Sequence, residues 1–323
     1  AVTLVLNAVV YIFIDPILSF LRVPEEVWGG MREYLLIIFA GLLATSLYNF
    51  FSCLLRALGN STVPLVFLAV SAILNIAWDL LFVAVFHWGI AGAAYATIFA
   101  QYVSGIGILL YVLFRCRSLF PERKDLCFDG GILKEIAGLS SLTCLQQSVM
   151  NFGILMVQGL VNSFGATTMA AFAAAVKIDT FAYLPVQDFG NAYSTFIAQN
   201  YGAGNKERIR RGTKESFAIS TAFSLVISAL VFAFAAPLMQ IFVSSAETAV
   251  IASGVRYLRI EGAFYFGIGC LFLLYGYYRA IKRAEMSVVL TVISLGIRVL
   301  LAYVLSATFL GETGIWMAIP IGW

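Results

Sequence analysis

The sequence predicts an all-α, polytopic membrane protein made of two pseudo-symmetric helical bundles, and three observations carry that reading. Of 323 residues, 61% are hydrophobic and only 11% charged, with a mean hydropathy of +0.93. That leaves too few polar side chains to cover a soluble globule of this size. The apolar residues gather into ten stretches, most of them reaching the ~20 residues a helix needs to cross a bilayer. The chain also repeats itself, residues 16 to about 100 overlaying 237 to 323 at a shift of 221 to 225. Pro16 then falls on Pro237, Glu26 on Glu247, Tyr34-Leu35 on Tyr257-Leu258, Arg56-Ala57 on Arg279-Ala280 and Gly89-Ile90 on Gly314-Ile315.

Taken in order, the stretches are 1–21, 34–55, 62–86, 89–114, 136–163, 167–199, 213–243, 251–278, 286–309 and 311–323. Each is read as a helix, because a helix satisfies its own backbone groups where water is absent. Pro64 opens the third, where proline is tolerated, and Pro185 is expected to kink the sixth. The last stretch is too short to cross. The division is a first lobe over 1–114, a polar linker over 115–135 and a second lobe over 136–323. Stretches 136–163 and 167–199 precede the second copy but have no counterpart before the first. The repeat therefore predicts a twelve-helix parent, six per half, of which this chain carries helices 3 to 6 and 7 to 12, the last incomplete. Paired hydrophobic halves of this kind are a common construction among secondary transporters.

Charge placement orients the helices. One set of alternate loops holds Arg56, Arg115, Arg117, Arg123, Lys124, Lys134, Lys206, Arg208, Arg210, Arg211, Lys214, Arg279, Lys282 and Arg283, whereas the other set holds only Arg22 and Arg32. Fourteen against two marks the first side as cytoplasmic. The net charge of +3 thus reports topology, and the basic cluster 206–214 is not read as a nucleic-acid site. The five cysteines show no CxxC or metal-like spacing and are expected to be free thiols.

The stretches RALGNSTVP (56–64), NIAWDLLFV (75–83), WGIAGAAYAT (88–97) and AQNYGAGN (198–205) together resemble the multidrug and toxic compound extrusion (MATE) transporters over the whole chain. The resemblance implies a multi-pass protein of the bacterial plasma membrane, monomeric and without a cofactor. It implies export of organic cations or drugs in exchange for Na+ or H+ by alternating access between two six-helix lobes.

Ionisable groups inside spanning helices are functional candidates by default. Asp79 lies in the middle of its stretch with Asn75 four residues earlier on the same face, a carboxylate and an amide oxygen suited to Na+, or to a proton. The family resemblance implies a first-lobe cation site at Asn75, Asp79, Thr97 and Asn49; the alternative is that Asn75 and Asp79 tie helices together. The acids of another family branch fall near Met150 and Ile268, so that second-lobe site looks absent. Glu261, with Tyr257 and Tyr265 four residues to either side, binds a cation or a proton, or pairs with Arg256 or Arg259. Lys177 and Asp179 await partners from other helices, Asp188 is a candidate for the cavity, and Arg298 is a candidate to neutralise Glu261 or another acid. Gln146, Gln147, Asn151 and Gln158 make a polar stripe, either cavity lining or interhelical hydrogen bonds. His87, beside Trp88, reads as interfacial.

A membrane enzyme is disfavoured, since the chain has one histidine, no HExxH and no GxSxG, and GAGN at 202–205 lacks the GK[ST] of a phosphate loop. A flippase for lipid-linked precursors is the nearer alternative, but it calls for several cavity cations, and the deep charges here are mostly acidic apart from Lys177 and Arg298. A transport-inactive fragment is the third reading.

Overall fold

The computed structural model describes residues 2–20, 25–117 and 129–323. Arg22, Arg123, Lys124, Cys127 and most of the 115–135 linker lie outside the described residues. All regular elements among the described residues are helical: α1 (Val2–Phe20), α2 (Glu25–Ala40), α3 (Leu42–Ala57), α4 (Thr62–Asp79), a π-helix (Leu80–Val85), α5 (Gly89–Arg115), α6 (Gly130–Asn162), α7 (Ala166–Gly202), α8 (Lys206–Phe242), α9 (Thr248–Gly262), α10 (Tyr265–Ala280), α11 (Ala284–Ser306) and α12 (Glu312–Ile321). Eight spans are long and apolar enough to cross a membrane, and a ninth is the broken pair α9 and α10. The chain divides into two compact units, Ala1–Phe128 and Asp129–Trp323.

Several helices run past the apolar stretches, α8 beginning at Lys206 rather than 213 and α6 at Gly130 rather than 136. Hydropathy marks the lipid-exposed length, while the hydrogen-bonded helix continues into the basic loops. The stretch 251–278, drawn as one span, is bent by 52° between Gly262 and Tyr265.

The repeat is visible in the backbone. Phe13 (φ −106°, ψ 17°) and Phe234 (φ −103°, ψ 17°) both leave helical geometry, each three residues before the repeated proline, Pro16 or Pro237. Proline lacks an N–H and its ring crowds the preceding turn, so a kink belongs there; Pro185, expected to kink its helix, instead lies inside α7 without a residue leaving helical geometry.

Two of the motifs are turns. Gly59 and Gly204 take positive φ (+86° and +69°), and the asparagine after each caps the next helix. Asn60 Oδ1 accepts from Val63 N at 3.2 Å and Asn205 Oδ1 from Arg208 N at 3.0 Å.

Small residues let the helices approach closely. A Cβ on Gly105 would sit 2.5 Å from the Ala44 carbonyl oxygen, joining α5 to α3; a Cβ on Gly276 would sit 2.6 Å from the Gly190 oxygen, joining α10 to α7. The first unit's core runs through Leu55, Ile108 and Val112. The second's runs through Val161, Met239, Leu258, Ile315 and Trp316, the Trp316 ring stacked on Phe172. Cys53, Cys116, Cys144 and Cys270 are free thiols.

Candidate functional site

In the first unit, Asn75 and Asp79 occupy the last turns of α4, and the wider π-turn begins directly after Asp79. π-segments interrupt the regular ladder and recur at functional positions. Asn75 Nδ2 and Asp79 Oδ1 are both buried without a hydrogen-bond partner. Thr97, on α5, donates its hydroxyl to the Ala93 carbonyl at 3.0 Å, leaving its oxygen lone pairs available. Asn49, on α3, is exposed.

The second unit contains a cavity of about 380 Å³. Helix α6 turns Gln147, Met150, Asn151 and Ile154 to it, the spacing of one helical face. Gln146, next to Gln147 and so about 100° away round the helix, is buried elsewhere. From α7 come Asp179 and Tyr183, from α9 Tyr257 and Glu261, and from α11 Arg298.

Three ionisable side chains, Asp179, Glu261 and Arg298, therefore line one cavity. Asp179 is 8% exposed and Glu261 7%. Tyr265, the first residue of α10, donates its hydroxyl to Asp179 Oδ1. Asp179 Oδ2, Glu261 Oε2 and Arg298 Nε are buried without a hydrogen-bond partner. Glu261 lies within electrostatic reach of both Asp179 and Arg298, and the Arg298 guanidinium also faces the Trp323 ring, 6.0 Å from its centroid. Two acids against one guanidinium leave room for one further positive charge, because an uncompensated buried charge is costly.

The arginines the sequence offered to Glu261 are engaged elsewhere. Arg256 reaches Glu312 at 3.7 Å and Thr313 at 3.2 Å, and Arg259 faces Phe232. Their pairing with Glu261 is overturned because α9 turns them away from the face that carries Tyr257 and Glu261. Lys177 parts from Asp179 and sits over the Phe242 ring, 5.7 Å from its centroid. Asp188 is exposed and does not line the cavity; nine residues beyond Asp179, it projects from the opposite face of α7. Gln158 bonds to Asn162 on its own helix at 2.9 Å. The meeting of Asp179 with Tyr265 has no local signal, the two being 86 residues apart. Met150 and Ile268, the positions the resemblance matches to the acids of another branch, line this cavity, whose carboxylates come from other positions.

Comparison with known proteins places this architecture. The family model MatE matches residues 1–81 and 142–304. The chain is 32% identical over 306 residues to the probable multidrug resistance protein YpnP of Bacillus subtilis, covering 94% of this chain and 67% of that protein. It is 28% identical to the probable multidrug resistance protein NorM of Thermotoga maritima, covering 92% and 65%, and 25% identical to an FAD transporter of Shewanella oneidensis, covering 98% and 70%. It spans about two thirds of the length of these relatives. Among solved structures, the Vibrio cholerae MATE transporter VcmN in its bent form superposes with a TM-score of 0.91 at 23% identity, covering 99% of this chain and 72% of that one. A MOP-superfamily transporter of Pyrococcus furiosus gives 0.91 at 24%, covering 99% and 73%. With the family model spanning most of its length, this chain belongs to the MatE family, the multidrug and toxic compound extrusion transporters its motifs resemble.

Proposed function

We propose that this protein works as a secondary antiporter that exports organic cations or drugs by alternating access, driven by inward movement of Na+ or H+. The family is one of transporters rather than enzymes. The observation that carries the proposal is the second unit's cavity, where Asp179 and Glu261 present unpartnered carboxylate oxygens beside a single guanidinium. A proton or Na+ fills the missing positive charge, and an arriving organic cation competes for the same carboxylates. Phe172, Tyr183, Tyr257 and Trp323 offer aromatic faces suited to a planar cation. The coupling ion also has a candidate seat in the first unit, at Asn75, Asp79 and Thr97, with Asn49 as a further donor.

A second reading, export of an anionic substrate, is favoured by Arg298, which lines the same cavity with Nε unpaired.

Efflux of a cationic dye by the protein in proteoliposomes tests these readings, with Na+ and H+ gradients imposed separately. Glu261→Gln and Asp179→Asn are each expected to lower ion-driven efflux by about tenfold or more, as loss of a buried ion ligand does. Both variants exporting normally would overturn the second-unit assignment, and Asp79→Asn exporting normally would overturn the first. Ion-driven export of an anionic dye that Arg298→Gln abolishes, without cation export, would establish the second reading instead.

A further inference from the structure

At the cytoplasmic end of the second unit, a groove of about 600 Å³ lies between the start of α8 and the end of α10. Lys206, Arg210 and Lys214 stand on successive turns of α8 and all face it. Among the described residues none of the three has an acidic partner. The other cations of this helix are occupied: Arg211 pairs with Glu215 at 2.8 Å, and Arg208 sits over the Phe196 ring. Three cations converging on one groove without an acid lack a counter-charge.

The groove combines basic and apolar lining. Lys206 and Arg210 precede residue 213, where the apolar stretch of α8 begins. Phe217 lies about 16 Å along the helix from Lys206 and about 10 Å from Arg210, at 1.5 Å per residue. On α10, Leu274 comes first, Tyr277 and Tyr278 follow, and Ile281 lies at the basic end of the groove, where Ile209 of α8 also lines it. Cations along an apolar, tyrosine-bearing wall match a molecule with an anionic head and a hydrocarbon tail, and basic pockets of this kind between cytoplasmic helix ends take anionic lipids.

We propose that this groove binds an anionic phospholipid of the inner leaflet, its headgroup phosphate held by Lys206, Arg210 and Lys214 and its acyl chain laid along Phe217 and Leu274. A free phosphate satisfies the cations but leaves the apolar wall empty, so the lipid is the occupant.

Native mass spectrometry of the 323-residue chain, offered phosphatidylglycerol and phosphatidylcholine in equal amounts, tests this. The expected result is selective retention of phosphatidylglycerol, lost on the order of a hundredfold in Lys206→Gln/Arg210→Gln/Lys214→Gln and kept in the control Arg208→Gln/Arg211→Gln. Equal retention of both lipids, or selective retention unchanged in the triple variant, would overturn the proposal. Inorganic phosphate raising the melting temperature of the wild type as much as phosphatidylglycerol does would also overturn it, pointing to a soluble anion. Should the triple variant not fold, a salt titration of the wild type decides: retention falling steeply between low and high NaCl supports the site, and salt-independent retention refutes it.

Discussion

Tyr265 donates its hydroxyl to Asp179, linking the first turn of α10 to the middle of α7 across 86 residues of sequence. Both side chains are buried, and the bend between α9 and α10 puts the tyrosine there. Tyr265→Phe keeps the ring and removes only the donor, leaving a further carboxylate oxygen unsatisfied. Interhelical hydrogen bonds of membrane proteins contribute about 0.6 kcal/mol on average and up to about 1.7; a buried carboxylate acceptor puts this one at the upper end. Thermal unfolding in detergent, followed by intrinsic fluorescence, should show that loss, and in Asp179→Asn/Tyr265→Phe the two effects should fall short of adding.

Lys282 occupies the place in the second copy that Gly59 occupies in the first. Both have positive φ, +61° and +86°. A lysine pays for that conformation in crowding between Cβ and carbonyl, by about 1 kcal/mol. Its ammonium reaches Glu135 at 2.5 Å, a contact between exposed groups that contributes little. Lys282→Gly should therefore raise stability slightly, by up to about 1 kcal/mol, and Gly59→Lys should lower it. The Glu135 carboxylate holds the Lys282 ammonium above its ordinary range. The ion pair's contribution is present at neutral pH and lost as pH rises through the lysine's titration, so the gain from Lys282→Gly should grow in strong alkali.

The Gly190–Gly276 contact has no room for a side chain, since a Cβ at Gly276 would lie 2.6 Å from the Gly190 carbonyl oxygen. Backbone cannot yield there without separating α7 from α10. Gly276→Ala should cost about 1–3 kcal/mol. Gly138→Ala in α6, where nothing lies within 4 Å, should be neutral or stabilising by up to about 1 kcal/mol. Paired thermal-shift measurements check both, and equal melting points would refute the close-approach argument.

Pro237 sets the kink at Phe234. Pro237→Ala restores a backbone donor and should let α8 straighten. Spin labels at the exposed positions Leu225 and Ile241 should then move apart towards the ~24 Å that sixteen residues of straight helix span. An unchanged separation in a cysteine-free background would show that packing, and not the proline, bends the helix.

The sequence by itself determined the helices and the repeat, because each rests on short-range chemistry. Apolar runs specify spanning helices, and the matched residues of the two copies specify the repeat, whereas the Gly-Asn caps and the kinks before Pro16 and Pro237 became visible only in the backbone. What only the tertiary structure decided is which way each helix turns. Gln146 and Gln147 are neighbours, yet one is buried elsewhere and the other lines the cavity; Lys177 and Asp179 part in the same way. A helix apolar on nearly every face has too weak a pattern for sequence to fix its rotation. That rotation is set by close contacts such as Gly276 on Gly190, and with the break at Gly262–Tyr265 it brings Asp179, Glu261 and Arg298 into one cavity from three distant parts of the chain.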